Sequence, residues 1–211
     1  QRPLLWIDRL SASSWSWHGE LPAGTRPTDL DGIVRGRRSV RALLSDPVPR
    51  RVLEDAILAA GWAPSPHGRQ PWRFAVVESA ERKLRLADAM AADWAGQLRL
   101  DGQDESIVQI RLGKSRARLL NAPSLVIVSL YLGDLDEYPD ADRQRAETTM
   151  AIQSLGAAVQ NFLLSIYASG YDAGWMCAPL FCPEIVRDAL ELDVEPVAVH
   201  GFQGQQPRLG E

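Results

Sequence analysis

The chain has 211 residues, of which 45% are hydrophobic and 24% charged, and its formal net charge is −4. This length favours one domain, and this composition is typical of a soluble globular protein. A slightly acidic chain has no general attraction for nucleic acid or an anionic membrane, and its most apolar run is broken by Asn121, Pro123 and Ser124, so no membrane span is predicted.

The N-terminal segment differs from the rest of the chain. Residues 1–32 place Trp6, Trp15 and Trp17 among serines, prolines and glycines, without sustained periodicity. We therefore expect an N-terminal arm over 1–32, packed on a single domain over 33–211.

Beyond the arm, the apolar residues follow helical or strand spacing in turn. The predicted elements are a helix over 51–60 that ends at Gly61, a strand over 72–77, helices over 81–94 and 107–120, a strand over 125–132, a helix over 143–169 that ends at Gly170, a strand over 173–176, a helix over 184–190 and a strand over 197–202. Because helices and strands do not alternate strictly, this order predicts the α+β fold class.

For two of these elements, the sequence pattern also predicts where the element lies in the fold. The run Leu125–Leu132 is continuously apolar with a β-branched centre, which predicts a strand in the middle of a sheet with both faces covered. The helix over 143–169 has a wide apolar stripe from Leu155 to Tyr167. Such a stripe is too large for a peripheral helix, so it predicts either a central helix or a subunit interface.

Two segments stand out as candidates for ligand binding. Arg37-Arg38-Ser39-Val40-Arg41 brings three guanidinium groups and a hydroxyl into five residues, a dense set of donors for a phosphate. The later segment from Ala63 to Trp72 reads Ala-Pro-Ser-Pro-His-Gly-Arg-Gln-Pro-Trp, which is too rich in proline and glycine for a helix. It predicts a rigid loop that leads into the strand at Trp72.

Several familiar catalytic and ligand-binding motifs are missing from the sequence. There is no Gly-x-Gly-x-x-Gly turn and no Gly-x-Ser-x-Gly elbow, and the three histidines lack metal-ligand spacing, so no metal site is predicted. The only cysteines, Cys177 and Cys182, would close a loop too short to add much stability, which favours a reduced, cytoplasmic setting. The chain is therefore either a binding module or an enzyme whose cofactor supplies the chemistry.

Taken in order, these segments resemble the nitroreductase family of flavoproteins. The Arg-Arg-Ser-Val-Arg segment is followed by Asp-Pro-Val-Pro at 46–49, a helix, and the loop that ends in Gln-Pro-Trp at 70–72. Three later segments, at 138–141, 156–160 and 175–181, are similar to one branch of the family. That branch is the reductase domain of the bifunctional protein that completes the deazaflavin coenzyme F420.

The resemblance implies a fold, an assembly and a cofactor. The fold is a mainly antiparallel central sheet flanked by helices, in an intertwined homodimer with FMN at the interface. The residues implied in FMN binding are Arg37, Arg38, Ser39 and Arg41 at the phosphate and the polar flavin edge, Pro64, Ser65, Pro66 and Gly68 in a covering loop from the partner subunit, Arg118 near the flavin pyrimidine, and Arg208 near the phosphate. For Trp175, Met176 and Cys177, backbone contact with the flavin and a buried strand end remain alternatives.

The activity implied is hydride transfer from FMN to an electron-poor double bond. In the favoured branch, the substrate is a dehydro precursor of coenzyme F420 whose enolpyruvyl-type double bond is reduced. His67, Tyr138 or water is the candidate proton donor. One alternative is a broad NAD(P)H-dependent nitro or quinone reductase, and another is a non-catalytic flavin or deazaflavin binder. No nucleic-acid or membrane partner is expected.

Overall fold

A computed structural model describes residues 5–6, 29–192 and 200–205 of the chain. Its helices are α1 (Leu30–Gly36), α2 (Arg50–Gly61), α3 (Ala80–Leu100), α4 (Glu105–Asn121), α5 (Ala141–Ala168) and α6 (Pro183–Leu190). Its strands are β1 (Leu5–Trp6), β2 (Trp72–Val77), β3 (Leu125–Leu130), β4 (Asp172–Met176) and β5 (His200–Gln205). None of the helices in these ranges is both long and apolar enough to cross a membrane.

The strands form one antiparallel sheet with the order β1-β2-β3-β5-β4. The central strand is β3, as the continuous apolar run predicts, and all six of its side chains are buried. They alternate between two clusters, with Val126, Val128 and Leu130 in one and Leu125 and Ile127 in the other. The expected α+β fold with a mainly antiparallel central sheet is confirmed.

Helices cover both faces of the sheet. On one face, α2 and α5 pack on each other and on β3, and Phe162 of α5 contacts the ring of Phe74 of β2 at 5.9 Å between centroids. On the other face, α3 and α6 pack over β2 and β3. The long α5 therefore lies at the centre of the molecule.

The apolar stripe of α5 is consequently part of the core of a single chain. Leu155, Phe162 and Ile166 are almost completely buried against α2 and the sheet. Of the two expectations for this helix, the central helix is correct, and the stripe itself is no evidence for a subunit interface. The more exposed apolar side chains of α5 are instead Met150 and Ile152, which lie outside the stripe.

The ends of the predicted elements shift by a few residues. Helix α3 runs to Leu100, beyond the predicted end at 94, and β3 ends at Leu130 because the chain turns into a 3-10 turn at Leu132–Asp134. Gly170 follows α5 with a φ of 87°, the left-handed conformation that glycine adopts at a helix end. The predicted strand over 197–202 appears as β5, and residues 197–199 lie outside the described residues.

The predicted arm is described only in part. The backbone of β1 pairs with β2 at one edge of the sheet, whereas residues 7–28 lie outside the described residues. Helix α1 begins after Asp29, whose side chain accepts a hydrogen bond from the backbone N–H of Gly32 at 2.8 Å. The predicted boundary between 32 and 33 falls inside this helix, and the division into arm and domain stays a prediction.

Candidate active site

The antiparallel register brings several loops to one end of the sheet. Trp72 at the start of β2 pairs with Leu130 at the end of β3, and Met176 at the end of β4 pairs with Gly201 near the start of β5. We call this end the loop end of the sheet. The loop 64–70, the segment 131–140 and the turn after β4 all adjoin it, so most of the candidate residues lie on one side of the molecule.

The arginine-rich segment lies beside the edge strand β4. The backbone N–H of Val40 donates to the carbonyl of Ala173 at 3.2 Å, and Ser39 forms a parallel bridge with Ala173. This contact needs a glycine opposite, because a Cβ atom on Gly174 would lie 2.5 Å from the carbonyl oxygen of Val40. The backbone of the segment 37–41 therefore extends the sheet past β4, and its arginines lie at the sheet edge.

The three arginines of this segment differ in their surroundings. Arg38 turns back on its own backbone, with Nη1 donating to the carbonyls of Arg35 and Arg37, and so caps the C-terminal end of α1. Arg37 is half-buried and Arg41 exposed, and neither has a hydrogen-bond or ion-pair partner among the described residues. Ser39 is exposed between them. The groups left available for an anion are thus Arg37, Arg41 and the Ser39 hydroxyl.

The end of β4 adjoins this set. Trp175 is half-buried and packs against the core cluster of α2 and α5, and Met176 packs against the cluster on the other face. Cys177 follows the strand as an exposed free thiol, whereas Cys182 is a buried one, and burial raises the pKa of the Cys182 thiol. Trp175 and Met176 thus have packing roles, and contact with a flavin stays a prediction for all three residues from Trp175 to Cys177.

The loop before β2 has an unusual backbone. His67 and Gln70 have φ values of 55° and 50°, and Gly68 between them has a φ of 65°. Only glycine adopts this left-handed region freely, so two side-chain-bearing residues here indicate a backbone that its surroundings hold in place. Ser65 supplies one restraint, since its Oγ accepts a hydrogen bond from the Gln70 N–H at 3.0 Å.

The loop 64–70 also contacts the segment that follows β3. Arg69 donates to the carbonyl of Asp134 at 2.8 Å and to Oδ1 of Asp136 at 2.6 Å. Tyr138 lies two residues further along, where its N–H donates to Oε1 of Gln144 at 2.9 Å and the Arg143 guanidinium lies over its ring. The two candidate proton donors, His67 and Tyr138, therefore belong to two connected segments.

The arginine-rich segment and the loop 64–70 lie at different positions across the sheet. The loop leads into β2, whereas the segment 37–41 lies beyond β4, with β3 and β5 between the two strands. At about 4.8 Å per strand, β2 and β4 are about 14 Å apart. A single copy thus presents two halves of a candidate site rather than one closed pocket.

Comparison with known proteins decides the family. The model of the nitroreductase family matches residues 34–204, which include both halves of the candidate site. The chain belongs to the nitroreductase family. It is accordingly an oxidoreductase of this family, as the resemblance of the ordered motifs predicts.

Individual members of the family are more distant. The putative NAD(P)H nitroreductase YfhC of Bacillus subtilis is 27% identical over 163 residues, which are 77% of this chain and 76% of that protein. Among solved structures, a BluB-like flavoprotein from Clostridium difficile has a TM-score of 0.68 at 23% identity, with 87% of this chain and 92% of that one covered. The FMN-dependent nitroreductase NfnB from Mycobacterium smegmatis, in complex with NADPH, has a TM-score of 0.63 at 21% identity, with 85% and 93% covered.

These similarities establish the nitroreductase fold for this chain. The expectation of FMN as the cofactor of this family is confirmed by NfnB, an FMN-dependent nitroreductase whose structure contains NADPH. The coenzyme F420 branch, the homodimer and the cytoplasmic setting remain predictions.

Two further arginines are predicted to bind the flavin, and the one that the structure describes, Arg118, lies apart from both halves. Arg118 is exposed in the last turn of α4, and the chain then enters β3 at Leu125, the end of that strand away from the loop end. Its role near the pyrimidine stays a prediction. Arg208 lies outside the described residues, so the structure gives no position for it.

Sequence reasoning missed the residues that join the loops. Asp136 lies 67 positions after Arg69 and 11 positions before Glu147. The three residues nevertheless meet around the buried carboxylate of Glu147. No local spacing connects them, because the contact depends on the pairing of β2 with β3. The only available signal was Arg69 itself, a long charged side chain within a loop of small and rigid residues.

Proposed function

We propose that this protein binds FMN through Arg37 and Arg41 and transfers hydride from it to an electron-poor small molecule. The observation that carries this proposal is the pair of guanidinium groups without an anionic partner among the described residues, one of them half-buried, at the edge of β4. Charge-assisted hydrogen bonds to a phosphate would satisfy both groups. The donor set of Arg37, Ser39 and Arg41 fits a phosphomonoester.

FMN, when bound, supplies the hydride from its N5 atom, and the protein supplies position and charge. Arg37 and Ser39 would hold the phosphate, and Arg41 would place positive charge where negative charge develops on the reduced cofactor. The half-buried Trp175 would line the flavin site beside these residues. His67, Tyr138 or water would deliver the proton that balances the transferred hydride in the product.

We further propose that two copies complete each site. The loop 64–70 of one copy would cover the flavin held by the segment 37–41 of the other, which is consistent with the distance between these halves in a single chain. Exposed apolar side chains support an interface of this kind. Trp62, next to the loop, is 68% exposed, and Ile152 on α5 is 43% exposed. Burial of such residues is a usual driving force for stable homodimers.

For the substrate, we propose a dehydro precursor of coenzyme F420, reduced at its enolpyruvyl-type double bond. The support is the likeness of the segments 138–141, 156–160 and 175–181 to that branch of the family. A second candidate is a broad nitro or quinone reductase with NAD(P)H as electron donor. It is supported by the similarity to YfhC and by the NADPH in the NfnB complex.

Anaerobic stopped-flow measurements separate these candidates. The reduced protein is mixed with the dehydro precursor, with a nitrofuran or with a simple quinone, and the first-order rate of flavin reoxidation is compared at saturation, so that binding and hydride transfer are read separately. We expect faster hydride transfer to the precursor. Equal or faster reoxidation by the small acceptors favours the broad reductase, and no reoxidation by any of them, with FMN firmly bound, favours a binding protein.

A further inference from the structure

Arg69 binds the loop 64–70 to the segment that follows β3 at two points. Arg69 donates from Nη1 to the carbonyl of Asp134 at 2.8 Å and from Nη2 to Oδ1 of Asp136 at 2.6 Å. A planar guanidinium bound at two points fixes orientation as well as distance, which a single lysine ammonium does not. The loop is thereby tied to the segment that carries Tyr138.

A buried carboxylate lies behind this contact. Glu147 of α5 is 3% exposed, and its Oε1 accepts a hydrogen bond from the Asp136 N–H at 3.4 Å. Its Oε2 is buried with no hydrogen-bond partner among the described residues. A buried charge needs compensation by an opposite one. The hydrogen bond that Arg69 donates to Asp136 raises the pKa of the Arg69 guanidinium, and the charges of Asp136 and Glu147 raise it further.

The backbone of the loop needs such a restraint. His67 and Gln70 both adopt left-handed conformations that side-chain-bearing residues avoid. Gln70 closes the loop on itself and on α2, through its N–H to Ser65 and its Nε2 to the carbonyl of Gly61 at 2.7 Å. These bonds define the internal shape of the loop, whereas Arg69 defines where the loop stands relative to the segment 134–138.

We propose that Arg69 is a positioning residue that sets the loop 64–70, with His67, in its place over the flavin of the neighbouring copy. The proposal rests on the proposed function, since it assigns the loop to that flavin. Arg69 donates to Asp134 and Asp136, and we assign it no contact with a reacting atom. Its effect on catalysis passes through the position of the loop and of the segment that carries Tyr138.

A purely structural role, the neutralisation of Glu147, makes a different prediction. If Arg69 only compensates the buried charge, then Glu147→Gln should repair both stability and activity in an Arg69→Ala protein. If Arg69 positions the loop, the double variant should regain thermal stability without regaining activity. A comparison of Arg69→Ala with Arg69→Ala/Glu147→Gln therefore separates the two roles.

The experiment uses the full chain with FMN and two readouts. Hydrogen exchange of the backbone amides of Ser65 and residues 67–70 reports the loop directly and needs no catalysis, and single-turnover flavin reoxidation reports hydride transfer. In Arg69→Ala we expect at least tenfold faster exchange in this loop, and hydride transfer slowed about ten- to a hundredfold, the usual cost of a displacement of about 1 Å in an active site. Arg69→Lys should recover stability better than rate.

Arg73→Ala is the matched control. Arg73 also donates to Asp134, from Nη2 to Oδ2 at 3.0 Å, but from strand β2 rather than from the loop. We expect its loss to reduce stability and to leave both loop exchange and hydride transfer within about twofold of the parent, since the two contacts of Arg69 remain.

Unchanged loop exchange in Arg69→Ala would overturn the proposal, and so would a double variant that regains the parental rate together with stability. A parent protein that binds no FMN would instead contradict the proposed function, whatever the exchange rates of the loop. The two failures are therefore distinguishable.

Discussion

The carbonyl oxygen of Val40 lies where a side chain on Gly174 would have to be, at 2.5 Å from the position of its Cβ atom. This missing side chain lets the segment 37–41 pair closely with β4. The placement of Arg37 and Arg41 at the sheet edge therefore depends on a glycine in a neighbouring strand, 133 positions and more away in the sequence.

Gly174→Ala should displace the arginine-rich segment. The neighbouring atom is backbone, so it cannot move aside as a flexible side chain would, and overpacking of this kind usually costs about 1–3 kcal/mol. We expect a lower free energy of unfolding in urea together with weaker FMN binding.

Gly113→Ala is the control for Gly174→Ala. Its Cβ would meet no atom within 4 Å in the middle of α4, and it should stabilise by about 0.5–1 kcal/mol. Parental FMN affinity in Gly174→Ala would show that the pairing with β4 does not matter for binding.

The three arginines of the segment should respond differently to removal. Arg37→Ala and Arg41→Ala each remove a charge-assisted contact worth about 1.5–3 kcal/mol, which weakens FMN binding by roughly ten- to a hundredfold. Arg38→Ala should leave FMN affinity nearly unchanged and loosen the end of α1, because Arg38 caps that helix. Fluorescence titration of FMN measures all three. Equal losses in the three variants would contradict this division of roles.

Lys83 should make stability depend on pH. Its Nζ donates to the carbonyls of Ala122 and Pro123 at 2.8 and 3.1 Å, and burial lowers its pKa from the ordinary 10.5. Between the lowered pKa of the folded chain and the ordinary 10.5, the unfolded chain binds this proton more fully than the folded chain does. The free energy of unfolding therefore rises with pH across that window. Lys83→Met should flatten this rise. Urea unfolding of both proteins across that range tests it, and identical slopes would refute the assignment.

The proposed assembly can be tested at α5. Ile152→Glu places a charge on an exposed helix position outside the core stripe, so the fold of one copy should be preserved. If this face belongs to the interface, sedimentation should show a shift from dimer to monomer and FMN affinity should fall with it. Gln109→Glu, on the exposed side of α4, is a control for added charge. A parent that sediments as a monomer with FMN bound would end the proposal of shared sites.

Much of the fold could be predicted from local patterns. The continuous apolar run of β3 indicates a strand covered on both faces, and the periodicity of α5 indicates a long buried helix, because burial on two faces or along a wide stripe leaves a clear signature. The choice between a central helix and a subunit interface was beyond the sequence. Both bury the same stripe, and only the packing of α2 on α5 distinguishes them.

The parts of the candidate site that lie within one short segment of the sequence could be predicted. The arginine-rich segment and the rigid loop are recognisable by composition, whereas their relation to the sheet depends on long-range pairing. The turning of Arg38 onto its own helix end and the contact of Arg69 with Asp136 could not be read from spacing, because each depends on backbone geometry that the tertiary structure sets.

The visible absorption spectrum of the purified protein tests the central claim most directly. Protein isolated without added cofactor should be yellow and show a flavin absorption spectrum. Heat denaturation should release the flavin, and mass spectrometry should identify it as FMN. Arg37→Ala/Arg41→Ala protein, purified in parallel, should be largely colourless and should retain its helical circular dichroism. A colourless parent that takes up no added FMN, or a double variant as fully loaded as the parent, would contradict FMN binding at this sheet edge.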